Sequence, residues 1–198
     1  MSFSRKLMLV SLWGLVLAAG LGFAWFQVIK PKMTQQVVRD LGVGDYVLTS
    51  TDGKPFTQDS LLGQPSAVFF GFTHCPEVCP TTLGDIATWQ EELGKDGEDL
   101  RVFFVTVDPE RDTEAVLGDY VSWVPGVVGV TGDPAEMKKA IKAYKAYAQK
   151  VPLEDGGYTM DHSASVMLFD AKGQYFGVIG YQEGEERSMA TLHRLLDS

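Results

Sequence analysis

Residues 67–83 read Ala67-Val-Phe-Phe-Gly-Phe-Thr-His-Cys75-Pro-Glu-Val-Cys79-Pro-Thr-Thr-Leu83. The run from Ala67 to Phe72 is apolar and aromatic, the composition of a short strand buried on both faces. After Pro80, the residues Leu83, Ile86, Ala87, Gln90 and Leu93 follow the helical period, and Gly94 can stop the helix. The stretch therefore predicts strand, loop, helix, with both cysteines in the loop. A proline disfavours helical geometry in the residue before it. Cys75 and Cys79 each precede one, so both are expected outside the helix, with Cys79 capping it.

Working outward, the same alternation continues. Arg101 to Val107 predicts a second buried strand and Thr113 to Val121 a second helix. Val127 to Val130 is a short strand. Asp133-Pro134-Ala135-Glu136 starts a helix, with Met137, Ala140, Ile141, Tyr144 and Ala148 on one face. Ser165 to Phe169 and Tyr175 to Ile179 are strands joined by a turn at Gly173, and Arg187 to Leu196 is a closing helix. Ahead of all this, Tyr46 to Phe56 reads as a hairpin turning at Asp52-Gly53. The expected fold class is α/β, a mixed sheet flanked by helices. A reactive group at the end of the first buried strand and the mouth of a helix is the thioredoxin arrangement.

Composition bounds the rest. The 198 residues are 45% apolar and 22% charged, which excludes a disordered or collagen-like chain. A net charge of −9 argues against nucleic-acid binding, because an acidic chain repels phosphate backbones. The average hides an uneven N-terminus. Leu7 to Phe26 contains no charged side chain, is long enough to cross a hydrocarbon core, and follows Arg5 and Lys6. The alternative is a cleaved signal peptide, with Ala18-Ala19-Gly20 as the small-residue site, although the apolar run continues past it. The expected organisation is a cytoplasmic tail over 1–6, a transmembrane anchor over 7–29, a linker over 30–44 and one domain over 45–198. The expected location is the inner (cytoplasmic) membrane, crossed once, with the domain facing the periplasm or an equivalent exported compartment. Without Arg5, Lys6 and Lys30, 14 basic groups face 26 acidic ones.

The chain has two cysteines, and both belong to the Cys75–Cys79 pair. Three readings compete. A structural disulfide would close a tiny loop and constrain the unfolded chain little. A redox dithiol is the second, although thioredoxin-type enzymes place two residues between the cysteines and this chain has three. A metal site is the third. A helix N-terminus favours thiolate over thiol, and thiolate is the metal ligand. Two soft thiolates with one imidazole suit copper, whereas zinc normally wants a fourth ligand.

There are three histidines. His193 sits on the closing helix and reads as a surface residue. His74 adjoins Cys75, but neighbours in an extended segment point opposite ways. His162 precedes the strand Ser165 to Phe169, in the loop that faces the reactive cysteines of a thioredoxin-like fold. Thioredoxins carry a cis-proline there, and a histidine in its place would turn an exchange site into a metal site. Asp161 is a candidate to orient the imidazole. Met160 is expected to pack rather than ligate. Asp108, at the same sheet edge, either tunes the charge of the site or fixes its turn.

At these residues the sequence resembles the Sco/SenC family of copper chaperones. The matching pieces are Gly71 to Leu83, Val107-Asp-Pro-Glu-Arg-Asp-Thr113, and Val151 to Asp170, which contains Tyr-Thr-Met-Asp-His162-Ser. They come in the family's order and cover most of residues 46–198. The resemblance implies a thioredoxin-like fold and one copper, Cu(I) or Cu(II), held by Cys75, Cys79 and His162. It also implies a role in building the binuclear CuA centre of cytochrome c oxidase subunit II, or in loading another exported copper acceptor, with copper taken from a periplasmic donor. On this reading the protein is not an enzyme. The alternatives are a thiol-disulfide reductase acting through Cys75 and Cys79, or a redox or copper sensor. A thiol peroxidase fits poorly, because that class needs a single peroxidatic cysteine beside a Thr and an Arg.

Overall fold

The two central strands are the apolar runs. β3 (Ser66–Gly71) and β4 (Arg101–Thr106) pair in parallel from Ser66↔Arg101 to Gly71↔Thr106, and β3 is buried throughout. The structure, a computed structural model, describes residues 3–30, 36, 38–154 and 156–198. It divides into a unit up to Arg39 and a second unit, Asp40–Ser198.

In the second unit a seven-stranded mixed sheet has the order β2-β1-β5-β4-β3-β8-β9. β1 (Leu48–Ser50) and β2 (Pro55–Phe56) form the expected first hairpin, and β1 pairs antiparallel with β5 (Val127–Thr131). β8 (Val166–Phe169) runs antiparallel to β3, and β9 (Tyr175–Ile179) to β8. The core between sheet and helices is rich in aromatic rings. Phe70 meets Tyr144 edge-on at 5.2 Å, and Phe69 meets Phe104 at 5.6 Å. Aromatic pairs of this geometry add to simple area burial.

In the first unit, α1 (Phe3–Ala24) continues as π-helical turns over Trp25–Ile29. Val10–Gln27 has a mean hydropathy of 1.5 and is long and apolar enough to cross a membrane. Its large side chains, Trp13 and Phe23 among them, are exposed. Much of the expected linker over 30–44, and the start of the expected tail, lie outside the described residues.

Two expectations need correction. The helix after the cysteines, α2 (Val78–Leu93), begins at Val78, so Cys79 lies inside its first turn instead of capping it. Glu77 is the N-cap, and the Thr81 N–H already reaches the Glu77 carbonyl at 3.1 Å. Pro80 is compatible because first-turn N–H groups have no intrahelical partner to lose. The helix ends where expected, at Gly94, whose φ of 57° suits a residue without a Cβ.

The helix capped by Asp133 is also shorter than its apolar period suggests. α4 (Pro134–Ala143) ends at Tyr144, and Lys145 takes a positive φ of 52°. Ala148 is therefore off the helix and opens β6 (Ala148–Pro152), which pairs with β7 (Tyr158–His162) as a separate two-stranded sheet. This second hairpin was not expected from the sequence. The remaining helices, α3 (Glu114–Val121, capped by the Thr113 side chain) and α5 (Glu185–Leu196), lie close to their expected bounds.

Candidate metal centre

β3 ends at Gly71, and the chain turns so that the Cys75 N–H meets the Phe72 carbonyl at 3.2 Å. Cys75 sits in this turn and Cys79 in the first turn of α2. The Cys79 N–H donates to Cys75 Sγ at 3.4 Å, so a first-turn amide that helix geometry leaves unpaired finds the sulfur. Gly71 makes room for the second sulfur. A Cβ there would stand 2.8 Å from Cys79 Sγ and 2.7 Å from the Phe104 ring, closer than real Cβ contacts allow.

His162 ends β7, on the second hairpin. Its Nδ1 lies 2.9 Å from the Ser163 carbonyl. A carbonyl only accepts, so Nδ1 carries the hydrogen and Nε2 keeps its lone pair. Nε2 lies 3.6 Å from Cys79 Sγ. Phe72 and Phe69 meet the imidazole edge-on at 5.6 and 6.3 Å and confine the ring. The ring's hydrogen bond thus goes to Ser163, whereas Asp161 faces solvent.

The ligand atoms of Cys75, Cys79 and His162 all lie within 4.8 Å of one another. Metal bonds of about 2.0–2.3 Å at trigonal angles put ligand tips roughly 3.6–4.0 Å apart. The three atoms therefore fit one ion with little movement. The cluster offers two sulfurs and one nitrogen, a soft set that suits copper better than zinc, which usually takes four ligands. Both cysteines are free thiols, and Cys79 is fully buried. Burial pushes the Cys79 thiol well up, with the neighbouring Cys75 adding to the effect and the Phe72 amide opposing it. An ion that takes the place of this proton removes the mismatch between a charged sulfur and its apolar surroundings.

Asp108 sits in a network beside the cluster. It is buried, pairs with the Arg111 guanidinium, and receives the Tyr158 hydroxyl at 2.9 Å. Arg111 also donates to the Tyr158 carbonyl at 3.0 Å, and its guanidinium lies 3.8 Å from the Tyr158 ring centroid. Lys150 stands 3.9 Å from that same centroid and pairs with Glu110 at 2.8 Å. This clamp ties the β6–β7 hairpin, and with it His162, to the segment after β4. Met160 is half-buried against the core, as expected of a packing residue. His193 is exposed on α5, and His74 is exposed beside Cys75 but outside the cluster.

One residue escaped the sequence reading. Asp112 is fully buried and accepts from the Thr73 N–H at 3.0 Å, the Thr73 hydroxyl at 2.6 Å and the Thr106 hydroxyl at 2.6 Å. It pins the start of the cysteine turn to the end of β4. The signal was an acid six residues past the end of β4, with one threonine ending β4 and another two residues past β3.

Comparison with known proteins decides the family. The SCO1/SenC family model matches residues 34–197. The chain belongs to the SCO1/SenC family. The mitochondrial protein SCO2 of Saccharomyces cerevisiae is 35% identical over 161 residues, which make up 78% of this chain and 53% of that protein. A SCO2-like protein of Rickettsia felis is 37% identical over 135 residues, 67% of this chain and 66% of that one. The chain thus spans about half to two thirds of the length of these curated relatives.

Solved structures agree. ScoI of Bradyrhizobium japonicum with copper bound is 43% identical, with a TM-score of 0.71 over 78% of this chain and 99% of that one. Yeast Sco1 with copper bound is 34% identical, with a TM-score of 0.72 over 80% and 90%. BsSco, described as a member of the Sco family of cytochrome c oxidase assembly proteins and the subject of a disulfide switch, shares the fold at 23% identity and a TM-score of 0.62, over 79% of this chain and 94% of that one. The mixed sheet flanked by helices is thus the thioredoxin-like fold of Sco proteins, as the sequence predicted.

Proposed function

We propose that this protein is a copper metallochaperone that holds one copper ion between Cys75, Cys79 and His162 and passes it on by ligand exchange. The observation that carries this reading is the meeting of two thiols and an imidazole from distant segments within 4.8 Å, with the histidine tautomer already set for coordination. The acceptor is the CuA centre of cytochrome c oxidase subunit II, as the resemblance to the Sco/SenC family implies. The apolar helix α1 is the membrane anchor, Arg5 and Lys6 keep its N-terminus cytoplasmic, and the domain works in the periplasm. The anchor concentrates the chaperone on the membrane that carries its acceptor.

Copper is cargo here, and the protein's task is to bind it firmly yet release it. Soft thiolates select Cu(I), and the imidazole lets the same site keep Cu(II). Titration of the reduced full chain in detergent micelles should saturate at one copper per chain. His162→Ala should weaken Cu(II) more than Cu(I), and an unchanged Cu(II) affinity would remove His162 from the ligand set.

A second reading has an observation of its own: both cysteines are free thiols, and Cys75 is the less buried of the two. That arrangement also suits a thiol-disulfide reductase that keeps the acceptor's cysteines reduced. If His162→Ala supported full oxidase assembly while Cys75→Ser did not, the reductase reading would replace the copper one.

A further inference from the structure

His74 precedes Cys75, stands outside the three-ligand cluster and is exposed. Its Nδ1 lies 3.0 Å from Thr73 Oγ1, and Thr73 Oγ1 lies 2.6 Å from Asp112 Oδ1. The protons in this chain can be assigned from the buried end. Asp112 also receives the Thr73 N–H and the Thr106 hydroxyl. An ionised carboxylate only accepts, so the single hydroxyl proton of Thr73 goes to Asp112. Thr106 fits the same direction, since its oxygen accepts the Asp108 N–H at 2.9 Å. Thr73 Oγ1 is left to accept from His74, so Nδ1 carries the hydrogen. Nε2 then holds a lone pair on a solvent-exposed ring.

A ring N–H anchored to an oxygen, with the other nitrogen open, is the wiring of metal-binding imidazoles. His162 has it through the Ser163 carbonyl, and His74 has it through Thr73 and a buried carboxylate. Burial supplies the second argument. Cys79 is 0% exposed and Cys75 9% exposed. An ion still held by its donor cannot meet Cys79 first. Glu77 is also exposed nearby, but its oxygens are hard ligands and poor partners for Cu(I).

We propose that His74 Nε2 is a first-contact ligand, which takes copper from its donor and hands it inward to Cys75. The inference rests on the copper reading above. Each step forms one copper–ligand bond as another breaks. Copper keeps its oxidation state, and the two thiols release their protons to solvent as they bind. Running the steps backwards, His74 is the last ligand to let go on delivery. It is absent from the resting ligand set, so it governs rate and leaves the final complex unchanged.

The test is anaerobic stopped-flow transfer of Cu(I) from its bicinchoninate complex to the reduced full chain in detergent micelles. The readouts are loss of the chelate's visible absorption and growth of Cu(I)–thiolate absorption in the ultraviolet. His74→Ala should slow transfer about tenfold and still end at one copper per chain with the wild-type ultraviolet spectrum. Thr73→Val, which frees the tautomer and removes one donor to Asp112, should also slow it, by less than His74→Ala. His193→Ala, which removes a remote exposed imidazole, should match wild type. A His74→Ala rate equal to wild type would overturn the proposal. So would an altered end spectrum, which would make His74 a resident ligand. Wild-type protein that takes no copper would instead defeat the copper reading itself, and this inference with it.

Discussion

The site is built from two regions held in different ways. The cysteine turn is part of the core: it continues a fully buried strand, enters a core helix and is pinned by Asp112. The β6–β7 hairpin that carries His162 belongs to a separate two-stranded sheet, with half-buried and exposed strands, tied down chiefly through Tyr158. Two of the three clustered groups are therefore fixed by the fold, and the third lies on a less buried hairpin. A carrier benefits from this division. On the copper reading proposed above, the fixed thiols would hold the ion and the less buried hairpin would supply the imidazole.

The largest expected effect breaks the fixed side. Asp112→Ala leaves the Thr73 amide and two threonine hydroxyls without their acceptor, in or beside the core. At about 1–3 kcal/mol for each buried orphan, the loss should be roughly 3 kcal/mol or more. Urea unfolding should show it, and copper retention should fall with it. Gly71→Ala comes next. The new methyl would press on Cys79 Sγ and Phe104, an overpacking worth about 1–3 kcal/mol, and should weaken Cu(I) binding by displacing the sulfur.

A change in the hairpin should behave differently. Tyr158→Phe removes the hydroxyl that donates to buried Asp108 and should lower Cu(II) affinity about tenfold, with Cu(I) affinity nearly unchanged and stability lowered by about 1–3 kcal/mol. Equal losses for both oxidation states would mean that the hairpin is as fixed as the turn.

The smallest effect at neutral pH lies away from both regions. Tyr46 is buried, and its hydroxyl donates to the Gly42 carbonyl at 2.9 Å and lies 3.2 Å from that of Tyr144. Burial, only partly offset by the Tyr144 hydrogen bond, pushes its phenol up from 10.0 to about 12. The folded state thus holds this proton more tightly than the unfolded chain. The resulting stability is fully present below pH 10 and is lost as pH rises through about 12. Two pKa units correspond to about 3 kcal/mol. Tyr46→Phe should make unfolding less steeply dependent on pH in that window, and an unchanged dependence would rule out Tyr46 as a source.

These differences also mark what the sequence could reveal. β3 and β4 are uninterrupted apolar runs, and α2 has its buried residues at helical spacing, so the fixed side was legible. His162 was legible through its position ahead of β8. The hairpin beneath it was not. Ala148–Pro152 and Tyr158–His162 are half-exposed and mix Lys, Gln, Pro, Asp and His, which carry little strand preference. The end of α4 was hidden for a similar reason: Lys145 takes the left-handed conformation that glycine usually announces. Asp112 was hidden because its partners, Thr73 and Thr106, become neighbours only when β3 and β4 pair.

The central claim is that two thiolates and the His162 imidazole hold one copper. The most direct measurement is the optical and EPR spectrum of the Cu(II)-loaded full chain beside that of His162→Ala. The account predicts thiolate-to-Cu(II) charge transfer in both, with nitrogen hyperfine structure in the wild type that is lost in the variant. Nitrogen hyperfine structure that survives His162→Ala, or a wild-type spectrum without thiolate charge transfer, would contradict it.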